Sequence, residues 1–280
     1  MALHFAREEF AGRKAKTLAA MAERGLDALL MFKQESMYWL TGYDTFGYCF
    51  FQCLLLRADG EIVLLTRAPD LRQAENTSII EDIRIWMDRD GATPADDLKD
   101  LLQRGGLASK RLGIEYDSQG LTAARGKQVD AALDGFAATE DASDLVSKLR
   151  LVKSEAELAY VRMAAKLADD ALHAAIEETR ADADEGEILA AMQGAVFKGG
   201  GDYPGNPFII GSGPDALLCR YKSGRRKLDP SDQLTLEFAG VYRQYHACLM
   251  RTLVVGEPSS RQHAMDQACR EALHACEAAL

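Results

Sequence analysis

The sequence predicts an α/β domain over residues 1–145 followed by an α+β domain over residues 146–280. Three observations support this prediction. Helical and strand patterns alternate along the first half, a long helical pattern follows, and the composition then changes to glycine-rich loops and a long hairpin. With 280 residues, 48% of them hydrophobic, the chain is long enough to bury two medium-sized cores.

The predicted first domain combines amphipathic helices with short apolar strands. Phe10, Leu18 and Met21 recur at helical spacing, and Gly25 is expected to end that helix. The run Ala58-Asp59-Gly60 between two apolar segments predicts a hairpin turn. Strands that alternate with helices in this way predict a mixed sheet with helices packed on it. Predicted helices cover 7–25, 94–102 and 120–133; predicted strands cover 26–32, a hairpin within 49–67, 82–87, 111–117 and 135–141.

The predicted second domain opens with a long helical pattern over 142–180, inside which Ser154 and Glu157 form a capping-box pattern. A second helix ends in a glycine cluster, after which residues 201–233 are rich in turns and short strands. A hairpin follows, and then a helical pattern that reaches Leu280 without a glycine cap or a proline stop. We therefore expect this helix to continue beyond the given chain.

Charge and hydropathy exclude several classes of function. The net charge of −10 argues against a general nucleic-acid binder, which needs a basic face. No apolar run approaches the roughly 20 residues that span a bilayer, and no signal peptide or glycine-rich nucleotide motif is recognisable. The sequence predicts a soluble cytoplasmic protein without nucleic-acid or membrane partners. Its six cysteines should be reduced, with Cys49 and Cys53 as small buried hydrophobes.

The segment LEFAGVYRQYHACLMRT, residues 236–252, predicts a hairpin with polar groups on one face. If the strands pair around Tyr242-Arg243, Glu237 lies opposite Cys248 and Ala239 lies opposite His246. Side chains alternate along a strand, so these four residues share one face of the hairpin. The other face carries apolar side chains.

The placement of Glu237 on this strand has two interpretations, because a buried carboxylate is costly unless it is paired. In the first, Glu237 forms an ion pair with Arg251 or with the basic loop 220–227. In the second, Glu237 orients or attacks a substrate, and His246 is its acid–base partner.

Several segments together resemble the creatinase/prolidase/methionine aminopeptidase superfamily, which has the pita-bread fold. The hairpin resembles the central hairpin of that superfamily, and residues 149–172 resemble the helix that opens its catalytic domain. Residues 37–44, MYWLTGYD, resemble its creatinase-type N-terminal domain, and residues 208–221 resemble the segment that carries an active-site histidine. The resemblance covers essentially the whole chain. It implies a creatinase-type domain over 1–145 and an incomplete pita-bread catalytic domain over 146–280.

This sequence departs from the metallopeptidase members of the superfamily at the metal-binding positions. Their two metal-binding aspartates of the hairpin fall on Glu237 and Cys248, and their histidine falls on Arg220. Their other ligands, a His and two Glu, would follow Leu280. A dinuclear site needs bridging oxygens in tight geometry. We therefore expect no cofactor, with a divalent metal ion as the alternative.

The resemblance is nearest to metal-free, creatinase-like and ectoine-hydrolase-like members. It implies hydrolysis of a C–N bond in a small zwitterionic amide or amidine, with Glu237 as nucleophile or orienting base and His246 as proton shuttle. Arg220 and Arg251 would hold a carboxylate or the developing charge, because arginine binds such groups bidentately. A metal-dependent Xaa-Pro dipeptidase and a non-catalytic binding protein are the alternatives.

Aromatic side chains are further candidates for substrate binding. Tyr203, next to Asp202, and Tyr245 are expected to line the pocket, although Tyr203 also fits an ordinary turn. Trp39, with its neighbours Tyr38 and Tyr43, is expected to reach the site of a partner subunit in a homodimer. The alternative for these three residues is a place in the core.

Overall fold

The structure is a computed structural model that describes residues 3–87, 89–91, 93–218 and 226–280. The chain forms two compact units, Met1–Lys153 and Ser154–Leu280. The sequence placed the boundary eight residues earlier, after residue 145. Of the helices within the described residues, none has the length and hydropathy that crossing a membrane requires.

The first unit is built on a six-stranded sheet with the order β4-β3-β2-β1-β5-β6. The sheet is mixed, as predicted, because β1–β2 and β2–β3 are antiparallel while β1–β5, β3–β4 and β5–β6 are parallel. The strands are β1 (Ala28–Met31), β2 (Cys53–Arg57), β3 (Ile62–Thr66), β4 (Asp82–Ile85), β5 (Arg111–Ile114) and β6 (Ala138–Asp141).

Hydrophobic cores lie on both faces of this sheet. Ala28 and Leu30 belong to one buried cluster, whereas Leu29 and Met31 belong to another, as the alternation of side chains along β1 requires. Sheets covered on both faces have strands of continuous hydrophobic residues, which explains the run ALLM. The helices are α1 (Arg7–Arg24), α2 (Gln34–Thr41), α3 (Leu71–Thr77), α4 (Pro94–Arg104), α5 (Ala123–Leu133) and α6 (Leu145–Leu149).

The structure confirms the helix end at Gly25, which adopts the left-handed conformation at φ 67°. Two short helices, α2 and α3, were not predicted. The predicted strand at Cys49 is wrong, because residues 47–49 form a 3-10 turn and Cys49 is exposed. Only Cys53, in β2, is buried as expected.

A buried carboxylate explains why α2 begins where it does. Glu115 directly follows β5 and is fully buried. Its carboxylate accepts hydrogen bonds from the backbone N–H groups of Phe32 and Lys33 at 3.1 and 2.9 Å, and from Ser36 Oγ at 2.6 Å. It thereby satisfies donors at the start of α2 and meets the positive end of the helix dipole.

The second unit packs two helices against one face of a three-stranded antiparallel sheet of order β7-β8-β9. The predicted 142–180 helix is divided, because Ser154 caps a new helix through the predicted capping box with Glu157. Its elements are α7 (Glu155–Glu178), α8 (Glu185–Lys198), β7 (Ile209–Ser212), β8 (Asp232–Tyr242), β9 (Tyr245–Val255) and α9 (Ser260–Ala279).

The β8–β9 hairpin lies directly against α7 at Gly240. A Cβ atom at this position would collide with backbone atoms of Ala164 and Ala168, so no larger residue fits without moving the helix. Leu234, Leu236 and Phe238 of β8 are buried on the same side of the sheet. This packed face holds the hairpin to α7. The opposite face, called the open face below, has Ala239 and Val241 buried in its floor and Glu237, His246, Cys248 and Met250 at least partly exposed.

The predicted hairpin register is wrong by two residues. Glu237 lies opposite Met250, Ala239 opposite Cys248 and Val241 opposite His246. The turn residues are Arg243 and Gln244, both left-handed at φ 51° and 68°, as in a type I′ turn. A shift of two residues keeps every side chain on its face, so the predicted shared face of Glu237, Ala239, His246 and Cys248 is retained.

Candidate active site

The candidate site is the face of the β8–β9 hairpin that does not pack on α7. Glu237 is half-buried there, and Cys248, His246 and Met250 of β9 are exposed. The neighbouring strand β7 contributes Ile209, which pairs with Glu237. This open face brings together a carboxylate, a thiol and an imidazole, which are the groups that the sequence singled out.

The carboxylate of Glu237 has no ion pair or hydrogen bond within the described ranges 3–87, 89–91, 93–218 and 226–280. Arg251 lies opposite Leu236, so it belongs to the other face, and its guanidinium donates to the carbonyl of Met250 at 2.8 Å. The interpretation that pairs Glu237 with Arg251 is therefore wrong.

The described part of the basic loop is occupied elsewhere. Arg226 pairs with Asp229 and Asp232 and donates to Ser212 Oγ at 2.7 Å. Burial opposes ionisation of Asp232, but hydrogen bonds from Arg226 and from the backbone N–H groups of Asp229 and Gln233 outweigh it and lower the pKa of that carboxyl. Arg220, predicted to bind substrate, lies outside the described residues.

The strand register brings Cys248 close to Glu237 but separates His246 from it. Cys248 is one diagonal step from Glu237, which corresponds to about 7–8 Å between backbone positions. His246 is opposite Val241, four residues along β8 from Glu237, or about 13 Å at 3.3 Å per residue. The predicted pairing of Glu237 with His246 as base and proton shuttle is not supported by this geometry.

Both nitrogen atoms of His246 already have partners. Its Nε2 accepts a hydrogen bond from the backbone N–H of Gly205 at 2.9 Å, and its Nδ1 lies 3.0 Å from the carbonyl oxygen of Gln244. A carbonyl can only accept, so Nδ1 is the donor and Nε2 the acceptor in this arrangement. Gly205 was not predicted, and no local pattern could have signalled a contact between residues 41 positions apart.

Tyr203 lies in the loop that the hydrogen bond from Gly205 to His246 attaches to the hairpin. It is 79% exposed, and its ring packs edge-on against Phe197, with the centroids 4.9 Å apart. Asp202 donates its backbone N–H to the carbonyl of Val241 at 3.0 Å. The predicted pocket residues Asp202 and Tyr203 thus belong to a loop attached to the hairpin tip.

Two other aromatic residues that were predicted to bind substrate, Tyr245 and Trp39, instead make contacts within the fold. Tyr245 begins β9, and its hydroxyl donates to Glu157 Oε1 at 2.8 Å, which connects the hairpin to the start of α7. Trp39 is 4% exposed and lies in a core cluster of the first unit, where the Arg13 guanidinium stacks 5.3 Å from its ring. Tyr38 and Tyr43 are buried too, so all three residues occupy the core positions of the alternative interpretation.

The donors at the open face do not fit a dinuclear metal centre. Glu237 supplies one carboxylate, Cys248 supplies a thiol, and the lone pair of His246 Nε2 is used by Gly205. In the part of the chain that the structure describes, no three His, Cys, Asp or Glu side chains form a group that could hold a metal ion. Two oxygen-bridged metal ions need several carboxylates, whereas this face of the hairpin supplies one, from Glu237.

Two family models match the chain, one in each unit. The creatinase/prolidase N-terminal domain matches residues 13–152, and metallopeptidase family M24 matches residues 159–280. Together they account for almost the entire sequence.

Individual relatives include two kinds of hydrolase. The ectoine hydrolase of Halomonas elongata is 30% identical over 285 residues, covering 93% of this chain and 69% of that protein. The Xaa-Pro dipeptidase of Pyrococcus horikoshii is 29% identical over 119 residues, covering 42% of this chain and 34% of that protein.

Solved structures share the fold. A prolidase from Thermococcus sibiricus superposes with a TM-score of 0.82 at 20% identity, covering 94% of this chain and 70% of that one. The X-Pro aminopeptidase of Thermotoga maritima gives a TM-score of 0.75 at 21% identity, covering 89% and 66%. The chain thus spans about two thirds of the length of these structures.

Proposed function

The chain belongs to metallopeptidase family M24, with the creatinase/prolidase N-terminal domain and pita-bread fold, and on this premise we propose the bond that it cleaves. This family consists of hydrolases that act on C–N bonds. The proposed reaction is hydrolysis of a C–N bond in a small amino-acid-derived amide or amidine, without a metal ion. The similarity to ectoine hydrolase along 93% of the chain supports this substrate class.

The main support for the proposal is the environment of the Glu237 carboxylate. It is a half-buried carboxylate on an open sheet face, and it has no partner among the described residues. A strand would not retain such a group for stability, because it gains nothing to offset its partial desolvation. A carboxylate of this kind is available for a substrate or a water molecule.

In the proposed reaction Glu237 acts as a general base. Its carboxylate takes a proton from water while the water oxygen attacks the carbon of the C–N bond. The protonated carboxyl then returns the proton to the nitrogen as the C–N bond breaks, so the carboxylate is regenerated. Cys248, one diagonal step away, has a short side chain that leaves room beside Glu237.

A metal-dependent Xaa-Pro dipeptidase is the second candidate, because the chain superposes on a solved prolidase with a TM-score of 0.82. Its metal centre would use Glu237 and Cys248, at the positions of the family ligands. A catalytically inactive binding protein is the third candidate. The predicted homodimer also remains a proposal, which sedimentation analysis of the purified protein would check.

A panel of ectoine, creatine and an Xaa-Pro dipeptide separates these candidates. We expect turnover of a small cyclic or linear zwitterion that survives prolonged chelation, together with a metal content well below one ion per chain. Turnover of the dipeptide that disappears with the chelator and returns with a divalent metal would establish the dipeptidase instead. Ligand binding without turnover in both the wild type and Glu237→Gln would establish the binding protein.

A further inference from the structure

Within the described part of the chain, three hydrogen bonds attach the loop that follows α8 to the hairpin. The backbone N–H of Asp202 donates to Val241, and the backbone N–H of Gln244 donates to Asp202 Oδ2 at 3.3 Å. The third attachment is the bond from the backbone N–H of Gly205 to His246 Nε2. Only the third uses a side chain of β9.

His246 must extend across β8 to make this bond. It lies on β9 opposite Val241 of β8, whereas Gly205 lies in the loop that leads into β7 on the far side of β8. Its side chain shares the face of Glu237 by strand alternation. The imidazole therefore lies over Val241 and bridges the open face at one end.

The floor between this bridge and Glu237 consists of short side chains. Ala239 of β8 and Cys248 of β9 form a cross-strand pair midway between the two positions. The distance along β8 from Glu237 to Val241, the residue opposite His246, is about 13 Å. Such a space accommodates a small amino-acid derivative but limits a longer chain that extends toward the hairpin tip.

We propose that His246 is a positioning residue that holds the 202–205 loop on the hairpin and, with Gly205, limits the length of substrates that bind at Glu237. The bridge itself depends only on the hydrogen bonds described above. The length limit rests on the proposed function, because it concerns the substrate of Glu237. This role replaces the predicted proton transfer, for which His246 is too distant and already hydrogen-bonded.

Hydrogen exchange of the peptide covering residues 199–207 tests the bridge in the full chain. His246→Ala should speed exchange of this segment about fivefold, the factor expected for loss of one hydrogen bond of ordinary net strength. His246→Gln, whose amide oxygen can accept the same bond, should restore protection. His263→Ala, which removes an exposed histidine of α9, is the matched control and should leave the segment unchanged. Unchanged exchange in His246→Ala overturns the bridge.

Kinetics and calorimetry with ectoine and an Xaa-Pro dipeptide test the length limit. In His246→Ala, KM for ectoine should rise while kcat stays within about twofold of the wild-type value. The ratio of the affinity for the longer dipeptide to the affinity for ectoine should increase at least tenfold. A fall in kcat at constant KM in both His246 variants overturns positioning in favour of a chemical role. An unchanged binding ratio overturns the length limit.

These outcomes separate the inference from the proposed function. If the wild type neither binds nor hydrolyses either compound, the proposed function and the length limit both fail, whereas the exchange data still decide the bridge. If hydrolysis is observed and exchange does not respond to His246→Ala, the proposed function stands and the bridge fails. A preserved melting temperature in each variant ensures that the comparison concerns folded protein.

Discussion

Two glutamates on or beside strands, one in each unit, show how differently the same side chain is used. Glu115 in the first unit is fully buried and accepts hydrogen bonds from two backbone N–H groups and a serine hydroxyl. Glu237 in the second unit is half-buried and has no such partner among the residues that the structure describes. Burial with a complete set of donors marks a structural carboxylate, whereas partial exposure without donors marks one available for chemistry.

The contrast between the two glutamates also predicts which property, folding stability or catalysis, a substitution at each position changes. Removing Glu115 would leave buried donors unsatisfied, and that cost appears in folding. Removing the charge of Glu237 leaves no buried donor behind, so its cost should appear in catalysis. Substitutions at the two positions should therefore affect different measurements, folding stability at Glu115 and catalysis at Glu237.

Glu237→Gln should reduce kcat/KM about a thousandfold, equivalent to about 4 kcal/mol of transition-state stabilisation, because the amide cannot accept a proton. The melting temperature should change by less than a degree or two, since surface-accessible substitutions of this kind alter stability little. Steady-state assays and calorimetry measure the two effects. Glu257→Gln, at an exposed site, is the control; a large loss of stability in Glu237→Gln would make Glu237 structural like Glu115.

Glu115→Ala should destabilise the first unit by about 3 kcal/mol, because three hydrogen bonds are lost and the N–H of Phe32 and the hydroxyl of Ser36 remain buried without this acceptor. Both tryptophans of the chain, Trp39 and Trp86, lie in this unit, so tryptophan fluorescence during urea unfolding reports on it selectively. Glu81→Ala, an exposed glutamate of the same unit, should have little effect. Equal midpoints for the two variants would contradict the assigned role.

The pH dependence of the first unit should reveal the same carboxyl group. Burial raises the pKa of Glu115, and this outweighs the opposing hydrogen bonds from Ser36, Lys33 and Phe32. Because the native pKa is raised, the stabilising free energy that Glu115 contributes is fully present below the ordinary carboxyl pKa of 4.5. It is lost as the pH rises through the native pKa. Urea midpoints of Glu115→Gln should therefore decline less than those of the wild type above pH 4.5. Parallel curves would contradict this.

Tyr245→Phe should cost about 2 kcal/mol in the second unit, because the hydrogen bond to the buried carboxylate of Glu157 disappears while the ring stays packed. Circular dichroism melting would detect the loss. Because Tyr245 does not belong to the open face, kcat/KM should remain within about twofold of the wild type. A tenfold drop would return Tyr245 to the substrate-binding residues.

Asp144→Asn should have the smallest effect, below about 1 kcal/mol, because Asp144 and Lys148 are exposed and Arg24 is half-buried, so water and salt screen these pairs. Hydrogen bonds from Lys148 and Arg24 lower its pKa to about 2. Its contribution is therefore present above the ordinary carboxyl pKa and declines as pH falls toward 2. Fluorescence-monitored unfolding at pH 7 and pH 2.5 should show the variant and wild type converging at the lower pH.

Local patterns in the sequence predicted much of the fold. The helix end at Gly25, the capping box of Ser154 with Glu157 and the mixed sheet are confirmed, because each depends on neighbouring residues or on a repeating apolar pattern. α2 was missed because the group that satisfies its first donors is Glu115, about 80 residues away along the chain. Contacts of that range leave no periodic signal.

The candidate site was predicted in part. Glu237, Cys248 and His246 do share a face, because alternation depends only on strand identity. The register failed because Arg243 and Gln244 lack the Gly or Asn that usually signals a left-handed turn. The same alternation places Arg251 on the opposite face from Glu237, and the prediction of an ion pair between them overlooked this. The contact between His246 and Gly205 could not be anticipated from either segment alone.

The two-residue turn has a consequence for how this hairpin can diversify. Positions 237 and 248 are separated by a single tight loop, so their spacing is set by the hairpin alone and not by the rest of the fold. Substitution at either position can exchange one chemistry for another while the spacing is kept. One inserted residue in β9 would instead move every following side chain to the opposite face. At positions 237 and 248 the residue type can therefore change, whereas the length of the hairpin cannot.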